Sequence, residues 1–166
     1  MNKYIFKKAI NVDIDAVLEL IQKRIKWMDK NNIYQWNKTN YLSCYPKEYF
    51  EELVSKGQLF AMKDEMTGSI FGAVALLEED KRWNDNLPSY YIHNLVSDTD
   101  IRGIGEAIIN CCEKMAVNNH KNRIRLDCQA KNQKLNEYYQ KLGFQYVEKI
   151  QDGNYIGNKR EKRMDL

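Results

Sequence analysis

The segment between residues 90 and 116 restricts the fold more than any other part of the chain. An apolar run, 90-YYIHNLV-96, passes through a polar turn into 102-RGIG-105. Beyond the glycines, Ile104, Ala107, Ile108, Cys111 and Met115 fall three to four residues apart, one stripe of a helix. A strand that feeds a helix through two glycines lays that helix back over its own sheet, because each element has an apolar side to bury. The unit therefore predicts a sheet with helices on its faces.

The neighbouring segments extend the pattern. Residues 3–9 read as a first strand. Ile14, Val17, Leu18, Ile21, Ile25 and Met28 mark a helix from about Asp13 to Lys30, with Asn11 or Asp13 as its cap. The stretch 30–46 is turn-rich and aromatic, and Pro46 suits the first position of a helix over 47–57, which Gly57 ends. Two apolar runs around 65-EMTG-68 make a hairpin of 58–64 and 69–79, followed by a polar loop over 80–89. After the central helix come a strand over 122–130, a helix from 132 closed by Gly143, a strand over 144–150, a turn at Gly153 and a last strand. The expected fold is α/β (α+β): a mixed, mostly antiparallel sheet of about six or seven strands flanked by about four helices, one domain over 1–166.

A net charge of +3, dispersed along the chain, lacks the concentrated basic face that nucleic acid requires. The most basic tract, 158-NKREKR-163, includes an acid and reads as a solvated strand end. No apolar run approaches the ~20 residues of a membrane span, and Met1-Asn2-Lys3-Tyr4 opens no signal-like apolar core. Among the four cysteines, Cys111 and Cys112 are adjacent, so they point about 100° apart on a helix; Cys44 stands alone and Cys128 lies in a strand. They read as reduced thiols, which suits a cytoplasmic protein, and the sequence spells no metal site.

What remains is the glycine turn. A helix start exposes unpaired N–H groups and about half a unit of positive charge, and glycine lets an anion approach them closely. Arg102 adds a cation suited to phosphate. A tight turn that merely needs glycine explains the same residues. A Rossmann fingerprint would need glycine at 108, where Ile108 stands, and a P-loop would need Lys-Ser/Thr where Glu106-Ala107 stand.

A second constellation lies at 132-NQKLNEYYQKLGF-144. Asn132 is the expected helix cap, and Tyr139, two turns on, shares its face. Tyr138 points elsewhere and reads as a packing residue; Tyr139 taken singly is more often a core aromatic with a satisfied hydroxyl.

Together, 100-DIRGIG-105 and the run Asn132, Leu135, Tyr139, Gly143, Phe144 resemble the paired motifs of the GNAT superfamily of acyl-coenzyme A-dependent N-acetyltransferases. The resemblance covers nearly the whole chain. It implies acetyl-CoA as co-substrate, lying in a splay beside strand 90–96. Main-chain N–H groups near Leu95 and Val96 would contact its pantetheine arm and thioester carbonyl. Amides of Ile101, Arg102, Gly103, Ile104, Gly105 and Glu106 would cradle the pyrophosphate. Asn132 would touch the cofactor, and Tyr139 would sit near its sulfur. Asp100 departs from the family's usual Gln or Arg, with Arg102 as the substitute cation, and the turn after Val96 is a residue or two shorter than usual.

The implied reaction is direct attack by a primary amine of a small molecule or peptide, in a ternary complex without metal. An alkylammonium of pKa about 10.4 costs about 4.6 kcal/mol to deprotonate at pH 7, so a base or a dry pocket must help. Tyr139 is the expected general acid for the departing thiolate, with strand amides polarising the carbonyl. His93 is the candidate base, although alternation puts it on the same face as Leu95; Asp127, Glu79 and a water relay are its rivals. Trp27, Gln35 and Trp36 are the candidate acceptor-binding residues. Family members are often dimers, so the resemblance allows a homodimer. A non-catalytic acyl-CoA-binding sensor or partner module is the alternative from another class.

Overall fold

The computed structural model describes residues 3–165; Met1, Asn2 and Leu166, at the ends of the expected domain, lie outside the described residues. Along the chain come β1 (Tyr4–Lys8), α1 (Ile14–Lys30), α2 (Tyr41–Cys44), α3 (Lys47–Ser55), β2 (Leu59–Asp64), β3 (Ile70–Leu77) and β4 (Ser89–Ser97). Then follow α4 (Ile104–Asn118), β5 (Arg123–Gln129), α5 (Gln133–Lys141), β6 (Gln145–Asp152) and β7 (Tyr155–Arg163). The seven strands form one sheet in the order β1-β2-β3-β4-β5-β7-β6. Neighbours are antiparallel except β4 and β5, which run parallel because α4 crosses over between them.

The mixed, mostly antiparallel sheet matches the expectation, with five α-helices among the described residues rather than about four. The extra one, α2, is a single turn in the aromatic stretch 30–46, too short for any periodicity to announce it. One face of the sheet is covered by α4 and α5, where Ile92, Ile104, Ile108, Ile124, Tyr139 and Phe144 pack together. The other is covered by α1 and α3 through Ile14, Val17, Ile21, Phe50 and Leu53. Each such side chain contributes about 1.5–3 kcal/mol by leaving water.

Asp13 does not cap α1 as its position suggested. Its carboxylate accepts from the Ile10 N–H at 2.8 Å and from Lys63 Nζ at 2.7 Å, a buried pair that ties the start of α1 to β2. Pro46 precedes α3 as its cap residue rather than opening it. The four cysteines are free. Burial pushes the Cys112 thiol up to about 12 and the Cys128 thiol up to about 11, so both remain protonated packing groups near neutrality. No helix among the described residues is long and apolar enough to cross a membrane.

Gly72 on β3 sets how closely α4 sits on the sheet. A Cβ there would stand 2.6 Å from Ile108 Cδ1, 2.8 Å from Ile104 Cγ2 and 3.0 Å from the Val96 carbonyl oxygen. The bare backbone thus lets the first turn of α4 drop onto β3 beside the end of β4.

Candidate active site

Strands β4 and β5 pair only from Ser89↔Arg123 to Tyr91↔Arg125. Beyond that point β4 continues with β3 and β5 with β7, so the sheet parts between them. A bulge lies in the freed part of β4. Ala75 faces His93 while Ala73 faces Val96, so β4 takes three steps for two on β3. Asn94 absorbs the extra residue in the left-handed region, φ 54°. Its amide donates to Tyr41 Oη at 2.6 Å and its carbonyl accepts from Tyr49 Oη at 2.8 Å. This bulge overturns the simple alternation read from the sequence. His93, opposite Ala75, lies on the α1–α3 face, whereas Leu95 packs with the α4 core.

A cleft of about 970 Å³ runs along the parted strands. At one end stands the start of α4. Gly103 caps it at φ 85°, a conformation that favours glycine, and a Cβ there would meet nothing within 4 Å. A Cβ at Gly105 would already stand 3.4 Å from Tyr138 Oη and 3.7 Å from Ser97 Oγ, so glycine keeps a narrow channel open. The turn before these glycines is clamped from α1. Arg24 donates to the Ser97 carbonyl at 2.7 Å and to Ser97 Oγ at 3.1 Å. Lys23 donates to Asp98 and to Asp100, each at 2.7 Å. Burial would raise Asp98, but Lys23, the Asp100 N–H and the nearby cations outweigh it and hold the carboxyl below its usual range. Asp100, the residue that departs from the family pattern, is turned onto Lys23 and so carries its own counter-charge. The backbone cradle, bare of Cβ atoms and beside Arg102, fits a phosphorylated ligand such as the pyrophosphate of a CoA-type molecule.

Ile101, Arg102, Gly103, Gly105, Glu106, Leu95, His93 and Asn132 all border the cleft. Val96 and Ile104 do not, because their side chains are buried in the two cores. Tyr139 is buried yet borders the cleft, edge-on to Tyr138 at 5.3 Å and to Phe144 at 5.8 Å. Burial, with smaller contributions from Cys128, Tyr138 and Asp127, pushes its phenol well above the usual value, so it stays protonated at neutral pH. Tyr138 is not the remote packing residue the sequence suggested: it borders the cleft, with its hydroxyl near Gly105.

At the other end the walls are aromatic. Trp36 stacks on Tyr41 at 4.3 Å, and Tyr45 packs tilted against Tyr41 at 4.8 Å and against Tyr49 at 4.9 Å. Trp27 stands under Arg24 at 4.9 Å and also borders the cleft. Asn132 caps α5 by accepting from the Leu135 N–H at 3.1 Å and donates across the cleft to Gln35 Oε1 at 3.0 Å. Three charged or phenolic groups that sequence reasoning missed stand here, Arg82 and Tyr155 bordering the cleft and Asp80 behind His93. Arg82 donates to both oxygens of Asp127 at 3.1 and 3.2 Å and to Asp152 at 3.2 Å. Tyr155 Oη donates to Asp127 at 2.5 Å, folding over its own strand where Gly157 leaves room. Asp80 accepts from His93 Nε2 at 2.7 Å. Of the rival bases, Asp127 is already engaged by Arg82 and Tyr155, and Glu79 is exposed away from the cleft.

A mixed sheet parted beside a glycine-opened helix start, with an aromatic pocket at the far end of the gap, is the arrangement that the resemblance to N-acetyltransferases implies. Residues 25–144 match the family described as the acetyltransferase (GNAT) family, and the chain belongs to it. It is similar to the uncharacterized N-acetyltransferase YesJ of Bacillus subtilis, at 24% identity over 91% of this chain and 87% of that protein. In fold it resembles a GNAT-family acetyltransferase of Listeria monocytogenes, with a TM-score of 0.78 and 20% identity over 97% and 95% of the two chains. It also resembles the PaiA N-acetyltransferase of Thermoplasma acidophilum, solved in complex with coenzyme A, with a TM-score of 0.76 and 17% identity over 97% and 99%. The protein is an N-acetyltransferase.

Proposed function

We propose that this enzyme binds acetyl-CoA along the β4–β5 gap and acetylates the primary amine of a small molecule or peptide held in the aromatic pocket, by direct attack in a ternary complex. The observation that carries the reading is the end of β4–β5 pairing at Tyr91 and Arg125, which leaves one continuous path from Gly103 and Gly105 past Tyr139 to Trp36. Acetyl-CoA supplies the activated acetyl group. Main-chain amides from Arg102 to Glu106 hold its phosphates, since the Ile101 N–H is donated to the Asp98 carbonyl at 3.3 Å. The Leu95 amide orients the acyl carbonyl and offsets charge that develops on it, whereas the Val96 N–H, in step with that of Asp98, is directed to β3. Asn132 borders the same path. Tyr139, protonated at neutral pH, donates its phenolic proton to the departing sulfur. Gln35, Trp36 and Trp27 hold the acceptor, whose carbon skeleton lies against the rings.

The test is a panel of polyamines, aminoglycosides, amino acids and peptides with acetyl-CoA, following free thiol and acetylated product by mass. Amine-dependent thiol release is expected, with initial-rate lines that intersect when both substrates are varied. Parallel lines would mean a covalent acetyl-enzyme and would overturn direct attack.

A further inference from the structure

Resting on this reading, we infer that His93 and Asp80 form the proton-accepting dyad, with His93 Nδ1 as the base and Asp80 as its positioning residue. The two are brought together by regular pairing: Leu77 faces Tyr91 and Ala75 faces His93, which puts His93 on the α1–α3 face near the loop that follows β3, while the bulge at Asn94 turns Leu95 to the other face. Asp80 Oδ2 lies 2.7 Å from His93 Nε2, and its other oxygen accepts from the Arg82 N–H at 2.9 Å. Burial alone would raise Asp80. The His93 hydrogen bond, the Arg82 N–H and the positive charge of Arg82 bring it below the usual carboxyl range, so it is an acceptor at neutral pH. An ionised acceptor at Oδ2 requires the proton on Nε2, which leaves the lone pair on Nδ1. Among the described residues no hydrogen bond occupies that nitrogen, and His93 borders the cleft beside Leu95.

In the step itself one N–H bond of the acceptor's ammonium breaks, its electron pair stays on the amine nitrogen, and the proton moves to Nδ1. The imidazolium so formed is balanced by the Asp80 carboxylate, and the cleft returns the proton to solvent. The groups around the dyad are few. Arg82 reaches Asp80 from its own loop, Tyr49 from α3 lies close enough for the Asp80 charge to act on its hydroxyl, and Asn94 and Tyr41 border the bulge.

The chain has two histidines, so His93 is resolved from His120 in a ¹H–¹⁵N spectrum of the imidazole rings. The expected spectrum shows the Nε2–H tautomer at pH 8, and Asp80→Ala abolishes that preference. Turnover (kcat), measured with the fastest acceptor among spermidine, kanamycin, lysine and an N-terminal alanine peptide, falls at least about tenfold in His93→Gln with coenzyme A affinity unchanged. Asp80→Ala lowers kcat comparably, and Asp80→Glu restores part of it. An Nδ1–H tautomer overturns the dyad, and so does a kcat that stays within about twofold of wild type in His93→Gln. If the wild-type enzyme acetylates none of the four amines, the acceptor class proposed above falls, and the spectrum judges the pairing separately.

Discussion

The two ends of the cleft are made of different material. Near α4 the wall is main chain: a left-handed Gly103, a bare Gly105 and a turn whose carbonyl and carboxylates are tied to Arg24 and Lys23. At the far end it is side chains, with Trp36 and Tyr41 stacked and Arg82 shared between Asp127 and Asp152. A wall of main chain suits a ligand part that never varies, because amides in a fixed turn cannot be retuned without refolding the turn. A wall of side chains suits a part that varies, since each ring or charge can change while the sheet stays put. If this division is correct, damage at one end should leave the other working.

The largest effect is expected at Arg125, on the last paired step of β5. It is 2% exposed, donates twice to Asp85 at 2.7 Å and once to Glu161 at 3.1 Å, and lies over Trp83 at 4.4 Å. It thereby anchors the loop that carries Asp80 and Arg82. Arg125→Met should cost about 3 kcal/mol, at the low end for a broken buried pair because Asp85 keeps much of its contact with water. Urea unfolding reads the loss. In the folded fraction KM for the amine should rise while coenzyme A binding by calorimetry stays near wild type. A matching loss of coenzyme A affinity would break the division between the two ends.

Gly72→Ala is the converse. Its methyl group would press on Ile104, Ile108 and the Val96 carbonyl, and overpacking of this kind costs about 1–3 kcal/mol. The first turn of α4 must lift to accommodate it, so coenzyme A should bind several-fold more weakly, with the amine KM unchanged at saturating acetyl-CoA. Calorimetric affinity equal to wild type would show that the cradle does not depend on how closely α4 seats.

Tyr139 stands where the two ends meet. Its hydroxyl makes no hydrogen bond with another described residue, so Tyr139→Phe should leave the unfolding midpoint and coenzyme A affinity almost unchanged. Turnover should fall at least about tenfold, as expected when a positioned proton donor is removed. Unaltered turnover with a verified amine would take Tyr139 out of the mechanism.

This contrast also explains which parts were legible in the sequence. Glycine spacing records backbone demands directly, so Gly103, Gly105 and the paired Asn132–Tyr139 motif could be read off the chain. The acceptor end depends on contacts between distant residues: Arg82 with Asp127, Tyr155 with Asp127, Gln35 with Asn132. No local pattern spells these. The bulge at Asn94 is subtler, because one extra residue parts His93 and Leu95, which alternation puts on one face, by turning Leu95 to the other. Nothing in 90-YYIHNLV-96 marks the slip except an asparagine, one of the few residues that tolerates a left-handed backbone. Tyr138 was misread for a related reason. Helical spacing gives its angle relative to Tyr139, but not that the sheet beneath α5 has parted.

The smallest effect tests the one hydrogen bond that spans the gap. Gln35 and Asn132, 97 residues apart, meet at 3.0 Å, while the Asn132 carbonyl separately caps α5 at Leu135. Gln35→Ala removes only the bridge and should cost about 0.5–1 kcal/mol, since the pair is partly exposed. Asn132→Ala removes both bridge and cap, so it should cost about 1 kcal/mol more. In a double-mutant cycle on unfolding free energy, the coupling should equal the bridge alone. Amine KM should rise a few-fold in Gln35→Ala, because the bridge fixes the loop carrying Trp36 over the mouth of the gap. Coupling of zero with an unchanged KM would mean that the two ends are joined only through the sheet, and that each closes on its own substrate independently.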